Sequence, residues 1–477
     1  MIRSFLAVIF LLLTNCINAQ QNSTLFFMQS TPQANFVNPA VRNECQWMLG
    51  LPVISSLHFE FGNSISSLMG IMSQQADGTY VPDSSKILNS LGRANYINTE
   101  FHTNLFFLSL WHKDKFFTFS VNEKVDLFMT APRDLIVLGW GNSQFEGKHA
   151  DLSRLGLFLN YRREYAFGVA KEISNDLILG IRAKLLFGKL NTSMPQSSMD
   201  LFTAPTTFDL VFTNNLKMNT SLPMTVQTNP NGTVQNATFN GSVGSILMNR
   251  SNVGLAFDLG FIKYRNDEMT VSGSILDLGL IRWSSGYSFT QNGQYTYHGP
   301  IGDTIPGENY LDNLSRIIKN EFGITATPKS YISFLIPTYY LGATYKLRDD
   351  LNAGAVVSGK ISRYRVTSGM TLSLNKNFNQ KAAVSISWSY LYKSFKNFGA
   401  GVKLGKSPVQ FYAVSDNVLG LIKPLDTKNI NLRFGLQLNF GCQRKEKVSN
   451  NCGCAWLKYE EERHKRERKK LKKKTEY

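Results

Sequence analysis

The stretch Ile430-Asn-Leu-Arg-Phe-Gly-Leu-Gln-Leu-Asn-Phe-Gly441 decides how the rest of the chain is read. Ile430, Leu432, Phe434, Leu436, Leu438 and Phe440 fall on one side of an extended chain. Asn431, Arg433, Gly435, Gln437, Asn439 and Gly441 fall on the other. Strand side chains alternate with period two, so the segment has one apolar and one polar face. A helix would scatter the same residues around its circumference. The length matches the roughly 9–11 residues that a tilted strand needs to cross a bilayer. The segment reads as the last strand of a transmembrane β-barrel.

Earlier segments repeat the pattern. Trp47, Leu49, Leu51, Val53, Leu57, Phe59 and Phe61 share one parity in a first strand. A fourth strand carries Leu155, Leu157, Leu159, Tyr161, Tyr165, Phe167 and Val169. Arg163 interrupts it, and a bulge at Arg162 and Arg163 would explain the interruption. A fifth sets Leu177, Leu179, Ile181, Ala183, Leu185 and Phe187 against Arg182 and Lys184. Further segments near 96–111, 117–121, 253–261, 268–283, 331–347, 351–360, 362–375, 381–392, 397–405 and 408–416 bring the expected number to about fourteen.

Polar turns at 112–115, 174–176, 265–267 and 348–350 are short, whereas the connections 63–95, 189–251 and 283–330 are long. Transmembrane barrels put short turns on the periplasmic side and long loops outside, with an even strand count. Fourteen strands then leave both termini periplasmic. Trp47, Trp111 and Trp283 fall at strand ends, where an interfacial aromatic girdle belongs. The competing reading is a large soluble β-protein whose apolar parity faces a packed core. Short helices are expected near 84–92 and 133–138, and another over 308–322. The last carries Leu311, Leu314, Ile318 and Phe322 on one face, suited to capturing an apolar ligand.

The chain has 477 residues, 12% of them aromatic and 18% charged. No internal apolar run reaches the length of a membrane-spanning helix. Residues 1–19 read as a secretory signal: Arg3, an apolar run from Phe5 to Leu13, then Ala19 before the cut. Cys16 sits in a weak lipoprotein-like context that Asn15 argues against. The net charge of +17 is unevenly placed: residues 443–477 hold thirteen lysines and arginines against six glutamates, +7 in the tail. Nucleic acid is the usual partner of such a tail, but an exported chain meets anionic lipid head groups or an acidic protein instead.

Ser30-Thr-Pro-Gln-Ala-Asn-Phe-Val-Asn-Pro-Ala40 resembles the start of a family of Bacteroidota outer-membrane proteins, as do residues 274–283 and 408–417. That family looks related to FadL-type fatty-acid channels and PorV-type secretion barrels. The resemblance covers roughly residues 24–441 and implies that the segment before the first strand is a hatch in the barrel lumen, with Asn38 and Pro39 at its centre. The expected organisation is a signal (1–19), a hatch (20–46), a closed all-β barrel (47–441) and a charged, helical periplasmic tail (442–477).

Arg162, Glu164, Arg182, Lys184 and Arg433 share the polar parity, which in a barrel is the lumen. They would serve as structural ion pairs of a filled interior or as a polar path around a hatch. None of the six histidines (58, 102, 112, 149, 298 and 464) has neighbours spaced as metal ligands or as a catalytic triad. No catalytic residue, cofactor or metal is therefore assigned. Cys45 precedes the first strand and Cys442 follows the last, so closure of the barrel makes them neighbours in an oxidising compartment. They are candidates for a disulfide that closes a loop of nearly the whole chain, worth about 4–5 kcal/mol of chain entropy. The rival pairings use Cys452 or Cys454, and the thiols would otherwise stay unpaired. The expected function is passage or capture of a small, partly hydrophobic molecule. The alternative is a non-transporting partner barrel in protein secretion or surface assembly, acting through its tail.

Overall fold

From Asn429 to Phe440 buried and partly exposed side chains alternate without a break. The buried set is the polar one, including Asn431, Arg433, Gln437 and Asn439. The apolar set faces outward. A soluble β-protein has the opposite sense, so this inversion already separates the two readings of the sequence.

The computed structural model describes residues 22–298, 323–361, 366–378, 381–405 and 407–442. The signal, the tail beyond Cys442 and the segment with Leu311, Leu314, Ile318 and Phe322 lie outside the described residues. Fourteen strands form the wall. β1 runs in two pieces, Trp47–Gly50 and Val53–Asn63. β2 (Ala94–His112), β3 (Lys115–Pro132), β4 (Gly156–Ser174) and β5 (Leu177–Thr203) follow. β6 (Asn252–Tyr264), β7 (Met269–Trp283) and the two-piece β8 (Tyr331–Phe334, Thr338–Arg348) come next. β9 (Leu351–Ile361), β10 (Val366–Phe378), β11 (Ala382–Leu391) and β12 (Ser394–Leu404) lead to β13 (Val409–Ser415) and β14 (Asn429–Phe440). Each pairs antiparallel with the next. β14 returns to β1, with Trp47 opposite Phe440 and Phe59 opposite Leu432. This closes a transmembrane β-barrel whose backbone polar groups are satisfied within the wall. Phe119, Phe167, Ile181, Leu255, Leu341 and Leu374 project from it and are exposed.

The structure corrects the sequence reading in several places. β1 is broken at Pro52, which has no N–H to give the ladder, and Val53 takes a positive φ of 67°. Arg163 keeps its outward parity and pairs there with Glu123 of β3. The bulge lies across from it on β5, where Lys189 is extra between Tyr161 and Arg162 of β4. Trp47 does face outward, stacked on Phe440 with 4.3 Å between centroids. Trp111 turns inward and donates its indole N–H to Asn43 O at 2.8 Å. Trp283 is fully buried and donates to Ser333. It is no girdle residue because β7 bulges at Asp277, whose φ is 58°, and the parity flips beyond that point.

The span from 189 begins as strand. β5 continues past the barrel and pairs with Leu210–Ser221, which pairs with Tyr287–Tyr297. Outside lipid both faces of a sheet meet water, so the apolar alternation that marks the wall disappears. The helices Ser84–Ser90 and Arg133–Leu138 pack on this extension and on each other through Leu88, Leu135 and Val137.

Residues 22–46 lie inside the wall. Helix α1 (Ser23–Phe27) is buried along its whole length. Leu25, Phe26, Phe27 and Met28 join Ile178, Ile262, Tyr340 and Tyr412 of the wall in the principal apolar cluster. Burial of each such side chain stabilises the fold by about 1.5–3 kcal/mol. The segment ends at Cys45, which is disulfide-bonded to Cys442 across the β1–β14 seam. Peptide mapping without reduction should recover these two cysteines in one linked pair. Recovery of both as separately alkylated thiols from fresh membranes would contradict the pairing.

Candidate functional site

The lumen is built from the inward parity of the wall strands and from the segment 22–46. Where the wall meets Asn38 and Pro39 it has no side chains. Gly180 of β5 and Gly260 of β6 are direct cross-strand partners. A Cβ at Gly180 would collide with the Pro39 backbone, and one at Gly260 with the Asn38 side chain and the Pro39 ring. The paired glycines thus form a dent that admits the Asn38–Pro39 turn. Asn38 closes the turn by accepting from Ala40 N at 3.0 Å and donates to Phe261 O at 3.2 Å.

The segment is also held at its start. Backbone amides of Asn22, Ser23 and Thr24 all donate to the Asp416 carboxylate, which follows β13. An acid at the first turn of a helix takes up otherwise unpaired N–H groups. Arg433 of β14 reaches the same place and donates to Asn22 Oδ1 at 3.0 Å and to Ser56 Oγ at 3.3 Å.

Beside the segment runs a buried ion network. Arg162 pairs with Glu164 at 2.8 Å and with Asp126. Lys124 bridges Glu164 at 3.0 Å and Asp277 at 3.4 Å. Lys184 lies 2.5 Å from Asp277 and 2.6 Å from Asp258. Arg182 joins Asp258 at 3.1 Å and donates to Asn35 O of the segment at 2.6 Å. Four cations therefore meet four carboxylates. Arg162, Glu164, Arg182 and Lys184 are brought together, while Arg433 stands apart, beside α1.

The alternation rule could have found Asp126 and Asp258, which sit between apolar neighbours on the inward parity, and Lys124, two residues before Asp126 on the same parity. It could not have found Asp277, which sits on the bulge. A second polar group, on β1 and β2, holds His58, Glu60, Glu100 and His102, all inward-facing. A cavity of about 120 Å³ lies between the two groups and the segment. Asn22, Phe36 and Val37 of the segment line it, as do Glu60, Glu100, His102, Asp126 and Asp277 of the wall. That volume holds a few waters and is well below the few hundred cubic ångströms of a typical ligand pocket.

Charges this deeply buried are stable only while paired. Arg162→Leu leaves Asp126 and Glu164 without their closest cation. It should cost about 3–5 kcal/mol, seen as a lower urea midpoint for the barrel folded in lipid vesicles. An unchanged midpoint would mean that water, not Arg162, compensates these carboxylates.

No curated protein sequence matches the chain. Among solved structures it is similar to a Pseudomonas aeruginosa FadL homologue, at 10% identity over 90% of this chain and 99% of that one, with a TM-score of 0.39. The P. putida toluene transporter TodX is similar at 10% identity over 86% and 94% of the two chains, with a TM-score of 0.37. The Ralstonia pickettii toluene transporter TbuX reaches 10% identity and a TM-score of 0.32 over 86% of this chain and 94% of that one. Likeness at this level decides nothing about what passes through this barrel. The model of one family matches residues 39–416, most of the barrel, and the chain belongs to it: the family described as Family of unknown function (DUF5723).

Proposed function

We propose that the protein is a channel of a Gram-negative, Bacteroidota-type outer membrane that admits a small, partly hydrophobic molecule, with residues 22–46 as its hatch. The observation that carries this reading is the Gly180–Gly260 dent under Asn38 and Pro39. A segment seated in a glycine dent and anchored at its two ends is placed to shift between them. The cavity above it opens into a larger path once the segment moves. Leu276, Leu335 and Ile336 on the cavity wall suit an apolar solute, and the ion network suits its polar part. The segment 308–322, expected from its sequence to be a helix, would serve as an outer capture site. The basic tail would bind lipid head groups or a periplasmic partner. No observation on the described residues favours the secretion-partner alternative over this one.

The orientation belongs to the same reading. The hairpin Met224–Thr228 with Val234–Phe239 would face the outside, and the turn between β6 and β7 the periplasm, with both termini. An epitope tag at Gly232 should be accessible on intact cells and one at Asn266 should not. The reverse pattern would invert the orientation.

Gly180→Val with Gly260→Val should displace the hatch. Uptake of a hydrophobic fluorescent probe into proteoliposomes should then rise severalfold over the wild type. Equal uptake by a variant shown to be folded by heat-modifiable migration would remove the segment from gating.

A further inference from the structure

We propose that the lumen carries a binding site for a divalent first-row transition ion, Zn²⁺ being the simplest match, formed by His58, Glu60, Glu100 and His102. The four residues make a square on two adjacent strands. His58 of β1 is the direct cross-strand partner of His102 of β2, and Glu60 is the partner of Glu100. All four lie on the inward parity. The two imidazole rings are 5.4 Å apart between centroids. One donor atom from each of His58, Glu100 and His102 falls within 4.8 Å of the other two.

The hydrogen bonding leaves the donors facing one another. Glu60 Oε1 accepts from Tyr392 OH at 2.8 Å and from Asn98 Nδ2 at 3.1 Å. Glu100 Oε1 accepts from Asn98 Nδ2 at 3.0 Å and pairs with Lys360. Each glutamate therefore has one oxygen occupied and turns Oε2 toward a histidine. Glu60 Oε2 is 3.7 Å from His58 Nε2, and Glu100 Oε2 is 3.8 Å from His102 Nε2. Ligands at zinc distances of about 2.0–2.2 Å in a tetrahedron are about 3.3–3.6 Å apart, so the Glu60–His58 pair is already near that spacing, and the other donors would close in from within 4.8 Å.

His58 and Glu60 are wholly buried. Neither ring nitrogen of His58, nor Glu60 Oε2, has a hydrogen-bond partner among the described residues. Buried polar atoms without partners are costly, and one ion would satisfy Glu60 Oε2 together with one ring nitrogen of His58. Asp126 Oδ1, 2.7 Å from His102 Nε2, occupies that nitrogen as outer carboxylates do at metal-binding imidazoles, so the ion would take Nδ1 of this ring. Two imidazoles and two carboxylates form a borderline donor set for such an ion. Glu60, Glu100 and His102 border the lumen cavity, which supplies the approach. The site does not depend on the transport reading.

The test uses the full chain with Cys452→Ser and Cys454→Ser to silence the tail thiols, folded in detergent and stripped with a chelator. Titration with ZnCl₂ by calorimetry should give about one ion per chain. Cobalt(II) should give the visible bands of a four-coordinate site. His58→Gln with His102→Gln should weaken zinc binding at least about tenfold, as loss of ligands requires. His149→Gln, on the exposed outer extension, should leave it unchanged. Heat-modifiable migration establishes that each variant is folded. Absence of stoichiometric zinc binding in the parent, or its persistence in the folded double variant, would overturn the proposal.

Discussion

A strand that crosses lipid must pair every backbone N–H and C=O with a neighbour, because the hydrocarbon offers none. The rest of this structure depends on that constraint. It forces β14 back onto β1, and closure sorts the side chains. The face that meets lipid must be apolar, so the polar parity of every strand is driven into a common interior. The inward-facing charges on β1 to β7, with Lys360 of β9 and Arg433 of β14, become neighbours through closure although they lie far apart in the chain. Their pairing then becomes a requirement of folding.

The interior is filled by something other than barrel side chains. Sheet walls in contact normally meet through interdigitated side chains, but across a fourteen-strand barrel only long ones reach, as Lys360 of β9 reaches Glu100 of β2. The segment 22–46 supplies the missing core. Its apolar helix packs on one side of the lumen, its Asn38–Pro39 turn enters the wall at two glycines, and Arg182 joins it to the ion network. Asp416 and the Cys45–Cys442 bond hold its ends. One segment is thus both the protein's hydrophobic core and the object that divides its lumen.

Much of the wall is legible in the sequence because lipid imposes a strict alternation. Ile430 to Phe440 shows it with no exception, and the short turns near Asp114, Asp176 and Asp349 mark one rim. Legibility fails where the alternation is not required or is locally reset. The outer extension of β5 lies beyond lipid and reads as loop. A bulge at Asp277 shifts the parity, so Trp283 reads as a membrane girdle and is instead a buried wedge. Arg163 violates the apolar face, and its neutralising partner Glu123 lies forty residues away on another strand. His58 and His102 show no ligand spacing because what joins them is strand register, which no local motif encodes. Asp416 was invisible for the same reason: its role exists only once the N-terminal helix lies in the lumen.

The central claim is that the N-terminal segment sits within the barrel against β5 and β6. A photo-crosslinking residue placed at Asn38, activated in native membranes and mapped by mass spectrometry, tests it most directly. The account predicts crosslinks within the chain to peptides around Gly180 and Gly260. Crosslinks to other proteins or to lipid, with none to those two strands, would contradict it.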